Sequence, residues 1–102
     1  MYSAGDRVRE EEWLTEMSRA ADSLDLGSDA RSTAEDLYLN NVPDAERSKP
    51  AVAAAALYAG ALIAGDERAQ TAVADAMDVS RLSVQQRWKP LLEAAGFRTP
   101  SW

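Results

Sequence analysis

The stretch "AVAAAALYAGALIAG", residues 51 to 65, constrains this chain more than any other. It carries no charge, and it is rich in Ala, the strongest helix former. A helix that is apolar all round must be buried all round, so the rest of the chain has to wrap it. It opens at "SKP", where Pro50 suits a first helical turn because its missing N–H has no intrahelical role there. Gly65 closes it. Ala and Gly60 permit close approach of neighbouring helices but bury little area each. Leu57, Tyr58, Leu62 and Ile63 must therefore supply most of the area term. Core packing, rather than a cofactor pocket, is its expected role.

Four further helices are expected around it. The first runs from about Arg7 to Leu24, with Trp13, Leu14, Met17, Ala21 and Leu24 at helical spacing. Glu10, Glu11 and Glu12 lie in its early turns, where the helix dipole favours acids. Gly27 is its expected terminator. The second runs from about Asp29 to Asn40, with Ser28 as N-cap and Ala30, Ala34, Leu37 and Tyr38 on one face. "NNVPDAERS" is a loop, since Asn, Pro and Asp favour turns. After Gly65, Asp66 can begin the fourth helix, from about Glu67 to Met77, and "MDVS" is a turn. The fifth starts near Ser80 or Arg81 and reaches at least Lys89. At Pro90, which has no N–H, either a kink or a break with "PLLEAA" as a further turn is expected. The tail "GFRTPSW" ends in Trp102, which is open to three readings: disordered, folded back, or an anchor into another protein.

A chain of 102 residues fits a single domain over 1–102, with short flexible ends near 1–6 and 97–102. There is no Cys and no His, which excludes disulfides, Cys/His zinc sites, Cys nucleophiles and Ser-His-Asp triads. Asp and Glu are plentiful, yet no spacing proposes a carboxylate metal site. No motif combines nucleophile, base and orienting group, so an enzyme is not expected, nor is a cofactor or metal. The apolar run falls short of the roughly 18 residues that span a membrane, and "MYSAGDRVREEEW" has no signal-peptide h-region. A soluble cytoplasmic protein is the expectation.

Net charge is −6, but it is unevenly spread. Residues 1–51 carry 12 acidic and 6 basic groups. Residues 79–102 carry Arg81, Arg87, Lys89 and Arg98 against Glu93 alone, a local +3. Lys is scarce beside Arg, and Asp and Ala are abundant, as in proteins adapted to a high-salt, halophilic cytoplasm. In such a setting overall charge is a poor guide to phosphate binding.

The last two helices have helix-turn-helix form. Val84, Trp88, Leu91 and Ala95 make the expected buried stripe of the second. Arg81, Gln85, Gln86 and Lys89 fall largely off it. Such a face either contacts DNA or a partner, or is only the solvated side of a packed helix.

"AQTAVADAMDVSRLSVQQRWKPL" resembles the last two helices of a cyclin-like repeat in transcription factor IIB and its archaeal counterparts. That pattern runs Thr-Gln-x-Glu-Val-Ala, then Gly-Val-Thr-x-Val-Thr-Ile-Arg-x-Arg-Tyr-Lys-x-Leu. Gln70, Val73, Ala74, Val79, Arg87, Lys89 and Leu91 match; Ser80, Leu82, Ser83, Val84 and Trp88 are close replacements. "KPAVAAAALYAGALIAG" is similar to the apolar third helix of such repeats. Ala69 and Ala72 replace Thr and Glu, Asp78 stands where Gly is usual, Gln85 stands for Arg, and Pro90 is foreign to the pattern. Asp tolerates left-handed geometry better than most residues.

The resemblance implies an all-α, five-helix cyclin-like repeat with a C-terminal helix-turn-helix. It covers one repeat, where the family core has two and a zinc ribbon besides, so a complete initiation factor is not expected. The implied DNA-binding set is Ser80, Arg81, Leu82, Ser83, Gln85, Gln86, Arg87 and Lys89. Leu82 and Gln85 match base-contacting positions: Leu82 would meet a thymine methyl and Gln85 would pair with adenine N6/N7. The opposing reading packs Leu82 in the repeat and gives Arg87 a carboxylate partner. Two functions follow. One is a small transcription regulator or initiation-factor-like protein that binds promoter DNA through residues 80–89. The other is a protein-interaction module that binds the TATA-binding protein, another transcription factor or itself without reading DNA. The basic final segment favours the first, the acidic first half the second.

Overall fold

The computed structural model describes residues 9–97. Between residues 11 and 94 it holds five α-helices: α1 (Glu11–Ser23), α2 (Ser28–Leu39), α3 (Lys49–Ile63), α4 (Gln70–Ala76) and α5 (Arg81–Ala94). A 3-10 turn, Glu46–Ser48, leads into α3. No strand occurs among the described residues.

α3 is the centre. Every residue from Val52 to Ala61 is buried, and α3 packs against each of the other helices, most extensively α2 and α5. Close approach is obligatory at one point. A methyl group on Gly60 would lie 2.7 Å from the backbone nitrogen of Ala34 and 2.8 Å from its Cα. Backbone meets backbone there, so α2 and α3 cross at a separation that no side chain could hold. Larger groups fill the other flank. Trp88 of α5 meets Tyr58 of α3 edge to face, with ring centroids 5.3 Å apart, an arrangement that aromatic quadrupoles favour.

Four helices end alike. Asp25, Gly65, Asp78 and Gly96 follow the C-caps of α1, α3, α4 and α5 with φ of +56°, +73°, +56° and +87°. In each, the next residue donates its N–H back to the carbonyl five positions earlier, as Leu26 does to Ala21 and Val79 to Ala74. These are Schellman ends, which satisfy otherwise orphaned carbonyls. Gly27 is therefore not the terminator of α1: Asp25 takes the left-handed position. Gly27 instead stands at the N-cap of α2, with Ser28 as its first helical residue.

Other expectations shift for physical reasons. α1 begins at Glu11, with Glu10 as its N-cap; Arg7 lies outside the described residues. α4 begins at Gln70 rather than Glu67, because Asp66 and Arg68 are engaged elsewhere. The Asp66 carboxylate accepts the Gly27 N–H at 2.8 Å. Arg68 donates to the Leu24 and Asp25 carbonyls, at 2.9 and 3.0 Å, and to Asp66 at 2.8 Å. This clasp ties the loop after α3 to the turn after α1. The Gly27 N–H, then Arg68, hold the Asp66 carboxyl below the usual carboxylate range. Pro90 breaks nothing: α5 runs through it, because Trp88 before it and Leu91 and Leu92 after it are all in the core. Leu92 takes the place expected for Ala95, which is exposed. Leu62, Ile63 and Trp13 are only half-buried. Of the ends expected to be flexible, 1–6 and 98–102 lie outside the described residues, as does Trp102. Phe97 is 47% exposed but donates its N–H to the Leu92 carbonyl.

A polar knot at the far end of the bundle had no sequence signal. Glu10 is 7% exposed. Its carboxylate accepts from the Tyr38 hydroxyl at 2.7 Å and from the Lys49 ammonium at 3.0 Å. One carboxylate thus joins the entry to α1, the end of α2 and the start of α3. Burial, reinforced by the hydrogen bond to Glu10, pushes the Tyr38 phenol far above its ordinary value. The hydrogen bond to Glu10 likewise holds the Lys49 ammonium above its own.

Three outcomes follow for unfolding experiments. Gly60→Ala should cost about 1–3 kcal/mol or more through forced separation of α2 and α3. Leu57, 1% exposed, should cost about 2–5 kcal/mol on truncation to Ala, and half-buried Leu62 clearly less. Equal urea midpoints for Gly60→Ala and wild type would disprove the close crossing. Both pKa shifts at the knot are upward, so the folded state retains protons that the unfolded chain loses at alkaline pH. Stability should then fall as pH rises past the ordinary Tyr and Lys values. Tyr38→Phe should cost about 1–3 kcal/mol near neutrality and flatten the alkaline limb measured by urea titration.

Candidate nucleic-acid interface

α4 and α5 meet through the turn Met77–Ser80, and local chemistry shapes it. Asp78 takes the left-handed residue that Gly more often supplies, and Val79 packs its side chain against the core. Ser80 is the N-cap of α5: its Oγ accepts the Ser83 N–H at 3.1 Å and lies 3.0 Å from the Ser83 hydroxyl. Ala69, which stands where the resembled pattern has Thr, sits at the N-cap of α4 and gives no side-chain cap. Arg19 braces the pair from α1 by donating to the Ala76 carbonyl at 2.9 Å.

α5 then divides into faces. Val84, Trp88, Leu91 and Leu92 are buried. At about 100° per residue, Arg81, Gln85, Lys89 and Leu82 fall within one arc of about 100°. Arg81, Leu82 and Gln85 are exposed, Leu82 at 59%. Leu82 therefore does not pack in the repeat. Lys89 is half-buried, its ammonium 5.5 Å from the Trp88 ring centroid, within cation–π range. Arg87 turns the other way, and Gln86 lies between, about 40° beyond Leu82. They border a groove of about 330 Å³ with Asn41, Pro43, Val52, Pro90 and Leu91. The eight residues expected at the interface thus occupy an outward face, a cap and a groove.

The cations differ in how they are used. Arg19 and Arg31 pair with Glu16 and Asp22, and Arg68 with Asp66. Arg81 and Arg87 pair with no carboxylate among the described residues. In a chain with excess acid, these guanidiniums are left open on the helix-turn-helix. Among the described residues no group of three or more His, Cys, Asp or Glu side chains could hold a metal. No helix among them is long and apolar enough to cross a membrane.

The family model "Transcription factor TFIIB repeat" matches residues 12–94. The chain belongs to the TFIIB repeat family. This family is not one of enzymes, and its all-α cyclin-like repeat is the fold described above. Among curated proteins, the chain is 32% identical over 88 residues to transcription initiation factor IIB of Pyrococcus horikoshii, covering 82% of this chain and 29% of that protein. It is 36% identical over 84 residues to transcription initiation factor IIB 1 of Thermoplasma volcanium, covering 76% and 26%. Against transcription initiation factor IIB 2 of Halobacterium salinarum it is 33% identical over 79 residues, covering 74% and 24%. The chain thus spans less than a third of the length of these relatives.

The two faces of α5 give a direct check. Trp88→Ala should lower stability by about 3–5 kcal/mol, because a 1%-exposed ring that also packs on Tyr58 is lost. Gln85→Ala should stay within about 0.5 kcal/mol of neutral. Thermal unfolding that shows comparable losses for both would reverse the assignment of faces.

Proposed function

We propose that this chain acts in transcription by contacting promoter DNA through the first turns of α5, beside a protein partner such as the TATA-binding protein. The observation that carries this reading is Leu82. It is a large apolar side chain, 59% exposed, flanked by Arg81 without a carboxylate and by exposed Gln85 at the start of a helix-turn-helix. A base-reading face would use both side chains: Leu82 against a thymine methyl, Gln85 on adenine N6/N7. Arg81 and Lys89 supply phosphate contacts, and the Ser80–Ser83 pair fixes the helix start that aims them. Membership of the TFIIB repeat family supports the same role.

One repeat offers few phosphate contacts, so affinity alone is modest and falls steeply with salt. The acidic composition of the first half fits a halophilic setting, where a partner would hold the protein on DNA. The exposed acids Glu11, Glu12 and Asp22 on α1 favour a second reading, a protein-interaction module that meets a basic partner without touching DNA.

A duplex titration at several salt concentrations, with and without TATA-binding protein, separates the two. Gln85→Ala should relax preference at one base pair by about 1–3 kcal/mol. Lys89→Ala should weaken binding to all sequences and lower the salt slope by about one. Absence of binding at low salt with the partner present, and of backbone shifts in residues 80–89, would leave the interaction module as the function.

A further inference from the structure

Among the described residues only two large hydrophobic side chains are exposed, Leu82 at 59% and Phe97 at 47%. They stand at the two ends of α5, and the outward side of the helix between them is polar. At about 100° per residue, Lys89 lies about 20° to one side of Leu82 and Glu93 about 20° to the other. Glu93 is exposed, as is Gln85, and Lys89 is half-buried. Phe97 follows Gly96 and donates its N–H to the Leu92 carbonyl. This is the Schellman position from which an apolar side chain commonly rests on the accepting residue. Leu92 lies about 80° from Leu82, just beyond Gln85 on the same side as Lys89. One flank of α5 thus carries, in order, Leu82, Gln85, Lys89, Glu93 and Phe97.

Such a flank, apolar at both ends with a cation and an anion one turn apart between them, is complementary to itself when reversed. Two copies of α5 can be set antiparallel about a two-fold axis at the level of Leu91. Lys89 of each copy then faces Glu93 of the other, and Gln85 faces Phe97. At 1.5 Å per residue, Phe97 lies only about 4.5 Å along the helix from Leu82 of the other copy, within side-chain contact. One symmetry operator makes the ion pair and the apolar contact, each twice. A parallel arrangement would instead set Lys89 on Lys89 and Glu93 on Glu93. We propose that α5 pairs antiparallel with α5 of a second copy of this chain. One helix face per copy falls below the roughly 1,200 Å² of a stable complex, so the pairing is weak and reversible. It covers Leu82, Gln85 and Lys89, the side chains proposed to contact DNA. Pairing and DNA contact therefore exclude each other, and the free repeat shields its own exposed face until DNA displaces the second copy.

The test uses the full chain in sedimentation velocity at low salt, from micromolar to millimolar concentration, with amide shifts followed by NMR on dilution. A monomer–dimer equilibrium is expected, with dilution shifts at Leu82, Gln85, Lys89, Glu93 and Phe97. Leu82→Glu and Phe97→Ser should each weaken it on the order of tenfold or more. Arg87→Gln, on the far side of α5, should leave it unchanged. The decisive pair is a charge swap. Lys89→Glu leaves a carboxylate at both positions and Glu93→Lys leaves an ammonium at both, so each variant should be monomeric alone. An equimolar mixture of the two should associate, because each then faces its opposite. Both changes on one chain should restore pairing of that chain with itself. These rescues separate lost pairing from a damaged fold, which circular dichroism checks for each variant. A chain that stays monomeric at every concentration, a mixture of the single variants that fails to associate, or dilution shifts confined to residues outside 82–97 would each overturn the pairing. None of these readouts involves DNA, so either proposal can fail while the other stands.

Discussion

Ala34 and Gly60 touch through their backbones, and that contact sets the separation of α2 and α3. The other helices are arranged about this pair. A short interhelical distance lets the small residues of α3 make contact without voids, which turns a run of Ala into a core rather than a set of gaps. The small residues contribute little area. The stabilising burial comes from the outer helices and from Leu57 and Tyr58, which reach toward them. Trp88 is the largest of these contributions, and it comes from the same helix that presents Arg81, Leu82 and Gln85 outward. Placement of the exposed face is therefore a by-product of seating the indole against Tyr58.

Polar interactions have a different role. They fix how the chain enters and leaves its helices. The Asp66–Arg68 clasp joins two turns that are distant in sequence, and the Glu10 knot joins three helix ends. A buried carboxylate is costly unless paired and hydrogen-bonded. Glu10 is both, and its two donors come from residues 28 and 39 positions away. Such a group punishes misregistered packing more than it rewards the native one.

The balance of local and distant causes explains what could be read in advance. The central helix, the helix-turn-helix and the left-handed Asp78 follow from composition, period and turn chemistry within a few residues, and all are present. Asp25 escaped notice because nearby Gly27 is the more familiar terminator. Glu67 looked like a helix start because nothing nearby reveals that Arg68 is drawn to the Leu24 carbonyl. Pro90 suggests a kink or a break because the packing that carries α5 past it lies on other helices. At the candidate site, exposure of Gln85 and burial of Trp88 were legible from the helical period. The grouping of Gln86 and Arg87 with Asn41 and Pro43 was not, because it depends on where the loop after α2 comes to rest.

The alanine-built centre also limits how such a sequence can change over time. From Val52 to Ala61 every position is enclosed, and most are already occupied by the smallest side chains available. Random substitution there can hardly shrink anything; it can only enlarge. Accepted changes on α3 must then come with compensating losses of volume on α2 or α5, Ala34 foremost among them. Divergence within the core should accordingly proceed by covarying pairs across helix contacts.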